Sequence, residues 1–293
     1  MTLSRRDFLK LGALISASTA LASCAPVYRK LSGDLPVTAW TLFNAHDFMA
    51  LNRITFGART EERSRFLEVG LANYIEEQLD FENIDDFACD LRLATFNTLD
   101  KDANELEAIS NKLFNGYDRK TVPDELRQAT LIRQIYSKRQ LYETMVEFWS
   151  DHFNIFIAKD NCFFLKTVDD REVIRKHALG SFHDLVSASA HSPAMLTYLD
   201  NQVNRKRKPN ENYARELMEL HTLGVNGGYT QDDVMEFARC LTGWTVKEHF
   251  WLGEFEFNEK QHDRGVKKSF GSNDSARRSK RSGTSYRNVS FTS

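Results

Sequence analysis

Residues 141–153 read Leu-Tyr-Glu-Thr-Met-Val-Glu-Phe-Trp-Ser-Asp-His-Phe and carry the clearest fold signal in the chain. They belong to a stretch without proline or glycine that runs from residue 124 to residue 157. Apolar side chains recur in it mostly at steps of three or four, the spacing of one helix face. The predicted apolar face consists of Leu131, Ile135, Leu141, Met145, Phe148, Trp149, His152 and Phe153. Pro123, followed by two acidic residues, fits the N-terminus of this helical stretch.

Two further segments of the chain also predict helices. Residues 64–115 contain a single glycine and no proline. Residues 231–241 follow Thr230, which can cap a helix start together with Asp233, and Gly243 lies just past their end.

Strand patterns are sparse, and the best one covers residues 251–257. The chain between residue 38 and residue 271 is long enough for one sizeable domain or two small ones. The sequence therefore predicts a mainly α, multi-helix globular domain with little β structure.

The first residues predict export from the cytoplasm. Ser4-Arg5-Arg6-Asp7-Phe8-Leu9-Lys10 precedes a short apolar run, which is the anatomy of a removable signal. The pair Arg5-Arg6 is the address read by the twin-arginine translocase, which we expect to be a partner during export. The apolar run is shorter than the about 20 residues that a membrane span needs. The structural alternative is a frayed amphipathic helix that begins with two arginines.

Cys24 ends this signal and is the predicted site of lipid attachment. Residues 21–24 read Leu-Ala-Ser-Cys and resemble the bacterial lipobox, whose cysteine receives a diacylglyceryl group. The alternative is an ordinary small-residue cleavage site with a cysteine nearby. Ala25 favours sorting to the outer membrane. We therefore expect a signal peptide over residues 1–24, a tether over residues 25–42, and a periplasmic lipoprotein held to the outer membrane by its acyl chains.

Charge is unevenly distributed along the chain. The 39 basic and 41 acidic residues give a net charge of −2, but the signal and residues 272–293 hold eight of the basic and only two of the acidic residues. The folded body is therefore near −8. An acidic body argues against a nucleic-acid binder, which would carry a basic footprint. The run Asn-Arg-Lys-Arg-Lys-Pro at 204–209 is a local exception and is either a solvated loop or an anion site.

Three cysteines follow Cys24 in the chain. None of them has the Cys-x-x-Cys spacing of a zinc or redox site. Because a twin-arginine substrate folds in the reducing cytoplasm, we expect Cys89, Cys162 and Cys240 to be buried free thiols. A bridge from Cys240 to either of the other two stays open.

Residues 209–225 contain the densest set of chemical groups, Pro-Asn-Glu-Asn-Tyr-Ala-Arg-Glu-Leu-Met-Glu-Leu-His-Thr-Leu-Gly-Val. On a regular helix, steps of about 100° place Tyr213, Leu217 and Leu220 on an apolar face. The opposite face collects Asn212, Arg215, Glu216 and Glu219, with Glu211 at its edge. This face is either solvated and held by ordinary ion pairs, or a pre-arranged acid/base or metal site.

Four sequence motifs, which follow one another along the chain, resemble those of a known protein family. They are Leu-Asn-Arg-Ile-Thr-Phe-Gly at 51–57, Phe-Trp-Ser-Asp-His-Phe-Asn at 148–154, the segment 210–224, and Gly-Tyr-Thr-Gln at 228–231 leading to Ala-Arg-Cys-Leu-Thr-Gly-Trp at 238–244. Together they closely resemble the bacterial family called domain of unknown function 1800, over about residues 43–271. The resemblance implies an exported, mostly helical protein, often encoded beside a second exported family similar to sulfatases and phosphatases. It implies no established activity.

The last residues depart from the family pattern. Family members continue beyond a phrase like that at 261–268, whereas residues 272–293 here are rich in Ser, Arg, Lys and Asn. This composition cannot bury enough apolar area to offset chain entropy, so we expect a disordered basic tail. We also expect the helical family domain over residues 43–271 to be incomplete, with a lost reading frame after it. A natural basic tail is the alternative.

The candidate catalytic residues are Glu216, Glu219, His152 and Arg215. A divalent metal is the cofactor hypothesis, with mixed nitrogen and oxygen ligands from His152, Glu216, Glu219 and His262. His221 points away from Glu216 and Glu219 on a regular helix, so those three cannot share one ion. His152 is otherwise a core histidine, and the His-Asp dipeptide at His262 is a weak signal by itself.

Three functions follow as hypotheses. The first is an accessory or binding role in the envelope, exercised with an exported, sulfatase- or phosphatase-like partner protein. The second is an envelope hydrolase that uses a metal or a carboxylate pair. A third is a polysaccharide-binding module built on Trp149, Trp244 and Trp251, against which the apolar surroundings of these rings argue.

Overall fold

The computed structural model describes residues 45–110, 119–247 and 253–268. The twin-arginine motif, Cys24, the tether and the basic tail lie outside these residues, so what the sequence predicts for them stays a prediction. The described residues divide into two compact units, 45–53 with 57–72 and 54–56 with 73–268. None of the described helices is long and apolar enough to cross a membrane.

The first unit holds most of helix α1 (Ala45–Ile54) and the start of helix α2 (Thr60–Leu79). Between the two helices, Asn52 Oδ1 accepts a hydrogen bond from the backbone nitrogen of Ala58 at 3.3 Å. Inside α2, Gly70 has a φ of 79°, which glycine adopts at little cost. The helix is therefore interrupted at its glycine.

The second unit contains the other elements. Its helices are α3 (Phe87–Leu93), α4 (Ala103–Ser110), α5 (Thr121–Tyr136), α6 (Gln140–His152), α7 (Cys162–Asp169), α8 (Phe182–Ala190), α9 (Pro193–Tyr198), α10 (Asn212–Glu216) and α11 (Gln231–Cys240). The first π-turn (Asp170–Arg175) continues α7, and the second π-turn (Leu217–Thr222) continues α10. Short 3₁₀ turns cover Phe81–Asn83 and Asn201–Val203. Strands β1 (Trp244–Val246) and β2 (Phe255–Phe257) pair antiparallel, with Trp244 opposite Phe257.

These elements confirm the predicted mainly α fold class with little β structure. Strand β2 is the second half of the predicted strand at 251–257, whose first two residues lie outside the described chain. The three cysteines are free thiols, with Cys89 and Cys162 buried and Cys240 half-buried, so neither bridge to Cys240 forms. Burial raises the pKa of Cys89 to about 11 and that of Cys162 to about 12.

Helix α7 lies at the centre of the core of the second unit. It contacts α4, α5, α9 and the first π-turn, and Cys162, Phe164 and Leu165 are buried along it. Its buried cation, Lys166, pairs with Asp169 at 2.7 Å, which satisfies both charges away from water. Other fully buried side chains of this core are Leu106, Ile174, Leu185, Met195, Leu196, Tyr213 and Val234.

The predicted helical stretch over residues 124–157 is two helices, α5 and α6, separated at Ser137. Ser137 Oγ donates to Asp86 Oδ2 at 2.6 Å, and the backbone nitrogen of Lys138 donates to Asp86 Oδ1 at 2.8 Å. Gln140 Nε2 donates to the carbonyl of Ser137 at 2.8 Å. These bonds satisfy the polar groups that a helix leaves unpaired at its ends.

The predicted apolar face of this stretch is only partly buried. Phe153 is buried, and the half-buried positions are Leu141, Met145, Trp149 and His152. The prediction is wrong for Leu131, Ile135 and Phe148, which are 56, 52 and 54% exposed. The break at Ser137 separates the register of α5, which carries Leu131 and Ile135, from that of α6. Within α6 the buried positions are Gln140, Glu143 and Val146, and this face turns Phe148 toward solvent.

Helix α11 confirms the predicted capping pattern. Thr230 Oγ1 accepts from the backbone nitrogen of Asp233 at 3.2 Å, and Asp233 Oδ2 accepts from that of Thr230 at 2.8 Å. Beyond the helix, Gly243 has a φ of +83°, and a Cβ there would lie 2.6 Å from the carbonyl oxygen of Asn258. Gly243 donates to the carbonyl of Asn204 at 3.0 Å and accepts from the nitrogen of Asn258 at 2.7 Å. Only glycine fits at this junction of three segments.

Candidate functional site

A buried ion network fixes the first turn of helix α6, which carries the candidate site. Arg175, the last residue of the first π-turn, donates to both carboxylate oxygens of Glu143 at 3.0 and 2.8 Å and to Asp170 Oδ2 at 2.9 Å. Tyr142 Oη donates to the carbonyl of Arg175 at 2.8 Å. Burial opposes the charge of Arg175, but the two carboxylates raise the pKa of its guanidinium above the usual value. The bidentate pair therefore holds α6 to the first π-turn.

His152 and His221 exchange hydrogen bonds at the other end of α6. His152 Nε2 lies 3.0 Å from the carbonyl oxygen of His221, and His221 Nδ1 lies 2.8 Å from the carbonyl oxygen of His152. A carbonyl oxygen only accepts, so each of these ring nitrogens carries a hydrogen. The exchange satisfies two carbonyl groups near helix ends, where partners are scarce. We refer to this arrangement as the histidine pair.

Burial keeps the inner ring of the histidine pair neutral, and aromatic rings pack around both histidines. His221 is 6% exposed, and burial lowers its pKa to about 4. Its ring stacks on Phe153 with centroids 5.0 Å apart, and His152 stands edge-on to Trp149 at 5.6 Å. The structure therefore requires an uncharged His221 at neutral pH.

Exposed apolar side chains border the histidine pair. Phe148 stacks on His152 with ring centroids 6.3 Å apart and is 54% exposed, and Phe182 stands edge-on to His152 at 6.3 Å and is 43% exposed. Leu220, the chain neighbour of His221, is 59% exposed. We refer to Phe148, His152, Phe182 and Leu220 as the histidine-pair surface.

The second π-turn changes the apolar face that regular helix spacing predicts. Tyr213 and Leu217 are buried as predicted, but Leu220 is exposed and His221 takes the buried position. The backbone bonds of a π-turn span five residues instead of four, which shifts every later side chain relative to a regular helix. Regular helix spacing therefore did not predict that His221 pairs with His152.

Arg215, Glu216 and Glu219 are half-buried on the other side of this segment. Arg215 Nη2 donates to Glu211 Oε1 at 2.8 Å and to Gln231 Oε1 at 2.6 Å. The hydrogen bond from Arg215 lowers the pKa of the Glu211 carboxyl. Arg215 lies four residues from both Glu211 and Glu219; Glu211 forms the salt bridge, and Glu219 forms none within the described chain.

Tyr229 lies within electrostatic reach of Glu216 and Glu219. Partial burial raises the pKa of the Tyr229 hydroxyl, and the charges of Glu219 and Glu216 raise it further. The charges of two candidate carboxylates therefore reach the phenol of Tyr229, while Arg215 forms an ordinary helical ion pair.

The four candidate metal ligands do not lie together. Among the described residues, no group of three or more His, Cys, Asp and Glu side chains is placed to hold an ion. His152 Nε2 faces the carbonyl of His221, and His262 Nδ1 lies 2.7 Å from the carbonyl of Thr242. The two rings serve different segments of the chain. The predicted set, which the structure does not assemble, comprised His152, Glu216, Glu219 and His262.

The asparagines before α10 have a structural role. Asn210 donates its backbone nitrogen to Asn204 Oδ1 at 2.9 Å, and Asn204 Nδ2 donates to the carbonyl of Ala238 at 2.9 Å. Asn212 Nδ2 donates to the carbonyl of Leu199 at 3.2 Å. These bonds tie the loop before α10 to α9 and α11, and so position the helix that leads to His221.

The tryptophans considered for sugar binding pack against the core. Trp149 Nε1 donates to the carbonyl of Ala178 at 3.0 Å, and Trp244 stacks on His191 with centroids 4.5 Å apart. Both rings are half-buried against the core, as their apolar surroundings predicted. Trp251 lies outside the described residues.

Comparison with known protein families shows to which family the chain belongs. The model of the family described as protein of unknown function (DUF1800) matches residues 49–286. The chain belongs to this family. The DUF1800 match includes the histidine pair and reaches past residue 271, where the composition changes. No curated protein and no solved structure matches the chain.

Proposed function

We propose that this DUF1800 protein is an exported, lipid-anchored envelope protein that binds a partner protein through the histidine-pair surface. The observation that carries the proposal is the exposure of Phe148, Phe182 and Leu220 around a buried, neutral histidine. Large apolar side chains that gather at a surface mark interaction sites. Aromatic side chains in particular supply most of the energy of protein interfaces.

The histidine pair makes this surface rigid before any partner binds. The rings of His152 and His221 are each fixed by a backbone carbonyl, and they join α6 to the second π-turn. Phe148 and Leu220 are carried by these two elements. A surface whose side chains are already ordered loses little conformational entropy on association, which favours binding.

The location in the proposal rests on Arg5, Arg6 and Cys24 of the sequence. They support export by the twin-arginine route and attachment to the outer membrane on its periplasmic side. The family resemblance supports an exported sulfatase- or phosphatase-like protein as the partner. Such a partner reaches the same compartment and needs no further transport step.

The binding test compares two leucines of similar exposure. Leu220 is 59% exposed on the second π-turn, and Leu131 is 56% exposed on α5. The binding partner in the test is the exported sulfatase- or phosphatase-like protein encoded beside this one. Its Kd is measured with the purified full chain carrying Leu220→Ser and with the matched control Leu131→Ser. We expect Leu220→Ser to raise the Kd by about tenfold or more, as loss of a central apolar contact does. Leu131→Ser should leave the Kd unchanged.

Two outcomes of this test would overturn the proposal. Equal Kd values for the two folded variants would show that the histidine-pair surface is not the interface. Failure of the wild-type chain to bind the neighbouring exported protein would remove that partner.

The location is tested separately with a reporter fused to the signal. Arg5→Lys with Arg6→Lys should retain the reporter in the cytoplasm, since the translocase no longer reads its address. Cys24→Ser should abolish incorporation of labelled fatty acid without blocking export. Export of the double-lysine variant at the wild-type level, or unchanged labelling of Cys24→Ser, would contradict the proposed location.

The neighbourhood of Glu216, Glu219 and Tyr229 supports a second function, an envelope hydrolase that uses a carboxylate pair. One carboxylate would take a proton from water while a protonated group gives one to the leaving oxygen. Turnover of aryl phosphate or aryl sulfate esters, lost in Glu216→Gln and kept in Leu220→Ser, would support this function. Absence of turnover by the folded wild-type chain, with and without added divalent metal, would remove it.

A further inference from the structure

Four consecutive cations form an exposed turn in the second unit. Arg205, Lys206, Arg207 and Lys208 are all exposed, and they make up the basic run found in the sequence. Arg205 and Lys208 form an antiparallel bridge, with the backbone nitrogen of Lys208 donating to the carbonyl of Arg205 at 2.9 Å. The backbone closes the turn on itself and leaves the four side chains to solvent. We refer to residues 205–208 as the basic turn.

Buried polar groups hold the basic turn in place. Asn204, which directly precedes it, is 1% exposed, and its Nδ2 donates to Asn201 Oδ1 at 3.0 Å and to the carbonyl of Ala238 at 2.9 Å. Within the turn, the backbone nitrogen of Lys206 donates to the carbonyl of Gln261 at 2.8 Å. The cations are therefore presented from a fixed base.

None of the four side chains forms an ion pair or a hydrogen bond within the described part of the chain. Three acidic groups of neighbouring segments are already paired elsewhere, namely Asp200 with Lys159, Glu259 with Arg264 and Asp263 with Arg239. The acidic body therefore leaves the charge of the basic turn uncompensated, and an external anion is the complementary partner.

Apolar side chains flank the basic turn. Val203 lies two residues before Arg205 and is 50% exposed. Phe257, which is 43% exposed, precedes Asn258, and Gly243 bonds to both Asn258 and Asn204. Cations beside exposed apolar groups are typical of segments that lie at a lipid headgroup layer, where apolar atoms enter the boundary and charges meet phosphates.

We propose that the basic turn binds an anionic lipid surface and sets the orientation of the protein on the membrane. An exposed turn presents its cations to a plane of charges instead of enclosing one ion. The acidic remainder of the body disfavours a long nucleic acid wrapped along it, whereas a flat membrane meets only the groups within about 8 Å, the screening length at physiological salt. One acyl anchor combined with a polybasic patch gives more stable attachment than either alone.

The test measures vesicle binding by a chain that lacks the acyl anchor. No partner protein is present, so the result does not depend on the proposed partner surface. The full chain carrying Cys24→Ser is mixed with vesicles of phosphatidylcholine alone or of phosphatidylcholine with phosphatidylglycerol, and sedimented. We expect binding only to the phosphatidylglycerol vesicles. Lys206→Gln with Arg207→Gln should lower the partition coefficient by about tenfold or more. Each cation near an anionic surface strengthens membrane binding by a similar factor, and this variant loses two of them. Binding should also fall as salt rises.

The matched control removes two exposed cations elsewhere, Lys138 and Lys176. Lys138→Gln with Lys176→Gln changes the net charge equally and should leave vesicle binding within about twofold of the parent chain. An equal loss in both double variants would mean that only net charge matters, and would overturn the proposal.

Three further results would also overturn it. Displacement from vesicles by inorganic phosphate at matched ionic strength would indicate a site for a single free anion. Binding to soluble polyglutamate without binding to vesicles would assign the basic turn to an acidic protein partner. Equal binding to vesicles with and without phosphatidylglycerol would show that lipid charge has no part.

Discussion

The two π-turns of the second unit contact the same helix at opposite ends and use different chemistry to do so. The first π-turn ends at Arg175, which is fully engaged by Glu143 and Asp170 in the interior. The second contains His221, which is buried as a neutral ring and exchanges hydrogen bonds with His152. One end of α6 is therefore fixed by charge and the other by an uncharged pair.

This difference separates a structural turn from a candidate binding site. The Arg175 network is saturated by groups of the protein itself, so it offers nothing to a ligand. The histidine pair lies beside Phe148 and Leu220, which are more than half exposed. π-turns often occur at functional sites. Here both ends of α6 contact such a turn, so its presence does not distinguish them. The exposed apolar side chains beside the second π-turn do distinguish the two ends.

Breaking the ion network should have the largest effect on stability. Arg175→Met leaves Glu143 and Asp170 buried without a cation, which should lower the free energy of unfolding by about 3–5 kcal/mol. The control is Arg127→Met, whose side chain is 59% exposed and pairs with Asp124; it should cost less than about 1 kcal/mol. Urea unfolding measures both, and equal costs would contradict a dominant role for the network.

The histidine pair should make stability depend on pH. His221 has a pKa lowered from 6.5 to about 4 in the fold, so the unfolded chain takes up its proton first as pH falls. Above about pH 6.5, His221 is neutral in both the folded and the unfolded chain and does not change the free energy of unfolding. Between about pH 6.5 and pH 4, the free energy of unfolding should drop by about 3 kcal/mol. The measurement is urea unfolding of the wild type and of His221→Phe at several pH values.

The difference between those two pH profiles isolates His221, because other titrating groups contribute alike to both proteins. We expect a constant difference above about pH 6.5 and a changing one below it. Parallel profiles down to pH 4 would show that His221 titrates alike in the folded and unfolded chains.

A smaller effect should follow from loss of one hydrogen bond at the charged end of α6. Tyr142→Phe removes the bond from Tyr142 Oη to the carbonyl of Arg175, and should cost about 0.5–1.5 kcal/mol. Tyr136→Phe is the control, because Tyr136 is 47% exposed and its hydroxyl has no hydrogen bond within the described chain. A Tyr142→Phe protein as stable as Tyr136→Phe would show that this bond adds no net stability.

The smallest change in stability is expected for the exposed residues of the two turns. Leu220→Ser in the second π-turn and Glu172→Ser in the first, with side chains largely exposed, should each stay within about 0.5 kcal/mol of the wild type. Only Leu220→Ser should weaken partner binding. A loss of binding in both variants would remove the functional distinction between the turns.

Features that depend on close chain neighbours could be predicted from the sequence. The cap of α11 uses Thr230 and Asp233, three residues apart, and the glycine after the helix follows from the same local pattern. The break between α5 and α6 could not be predicted, because it depends on Asp86 bonding to Ser137 across 51 residues. Helical periodicity contains no information about such a partner.

The candidate site was predictable in part for the same reason. His152 stood out because it lies on an apolar helical face, and Glu216 and Glu219 share a side of their segment by spacing alone. The contact between His152 and His221 joins residues 69 positions apart. The one available signal was that both histidines belong to phrases shared with the family, which does not say that they touch.

The junction at Gly243 also affects how the protein is made on the ribosome. Asn204 and Asn258 both bond to Gly243, and the turn at residues 205–208 bonds to Gln261. A nascent chain cannot complete the first set of contacts before residue 258 has left the ribosome, or the second before residue 261 has. Final closure of this part of the domain therefore waits until residues 258 and 261 have left the ribosome, and chains terminated before them would present an open edge to cellular proteases.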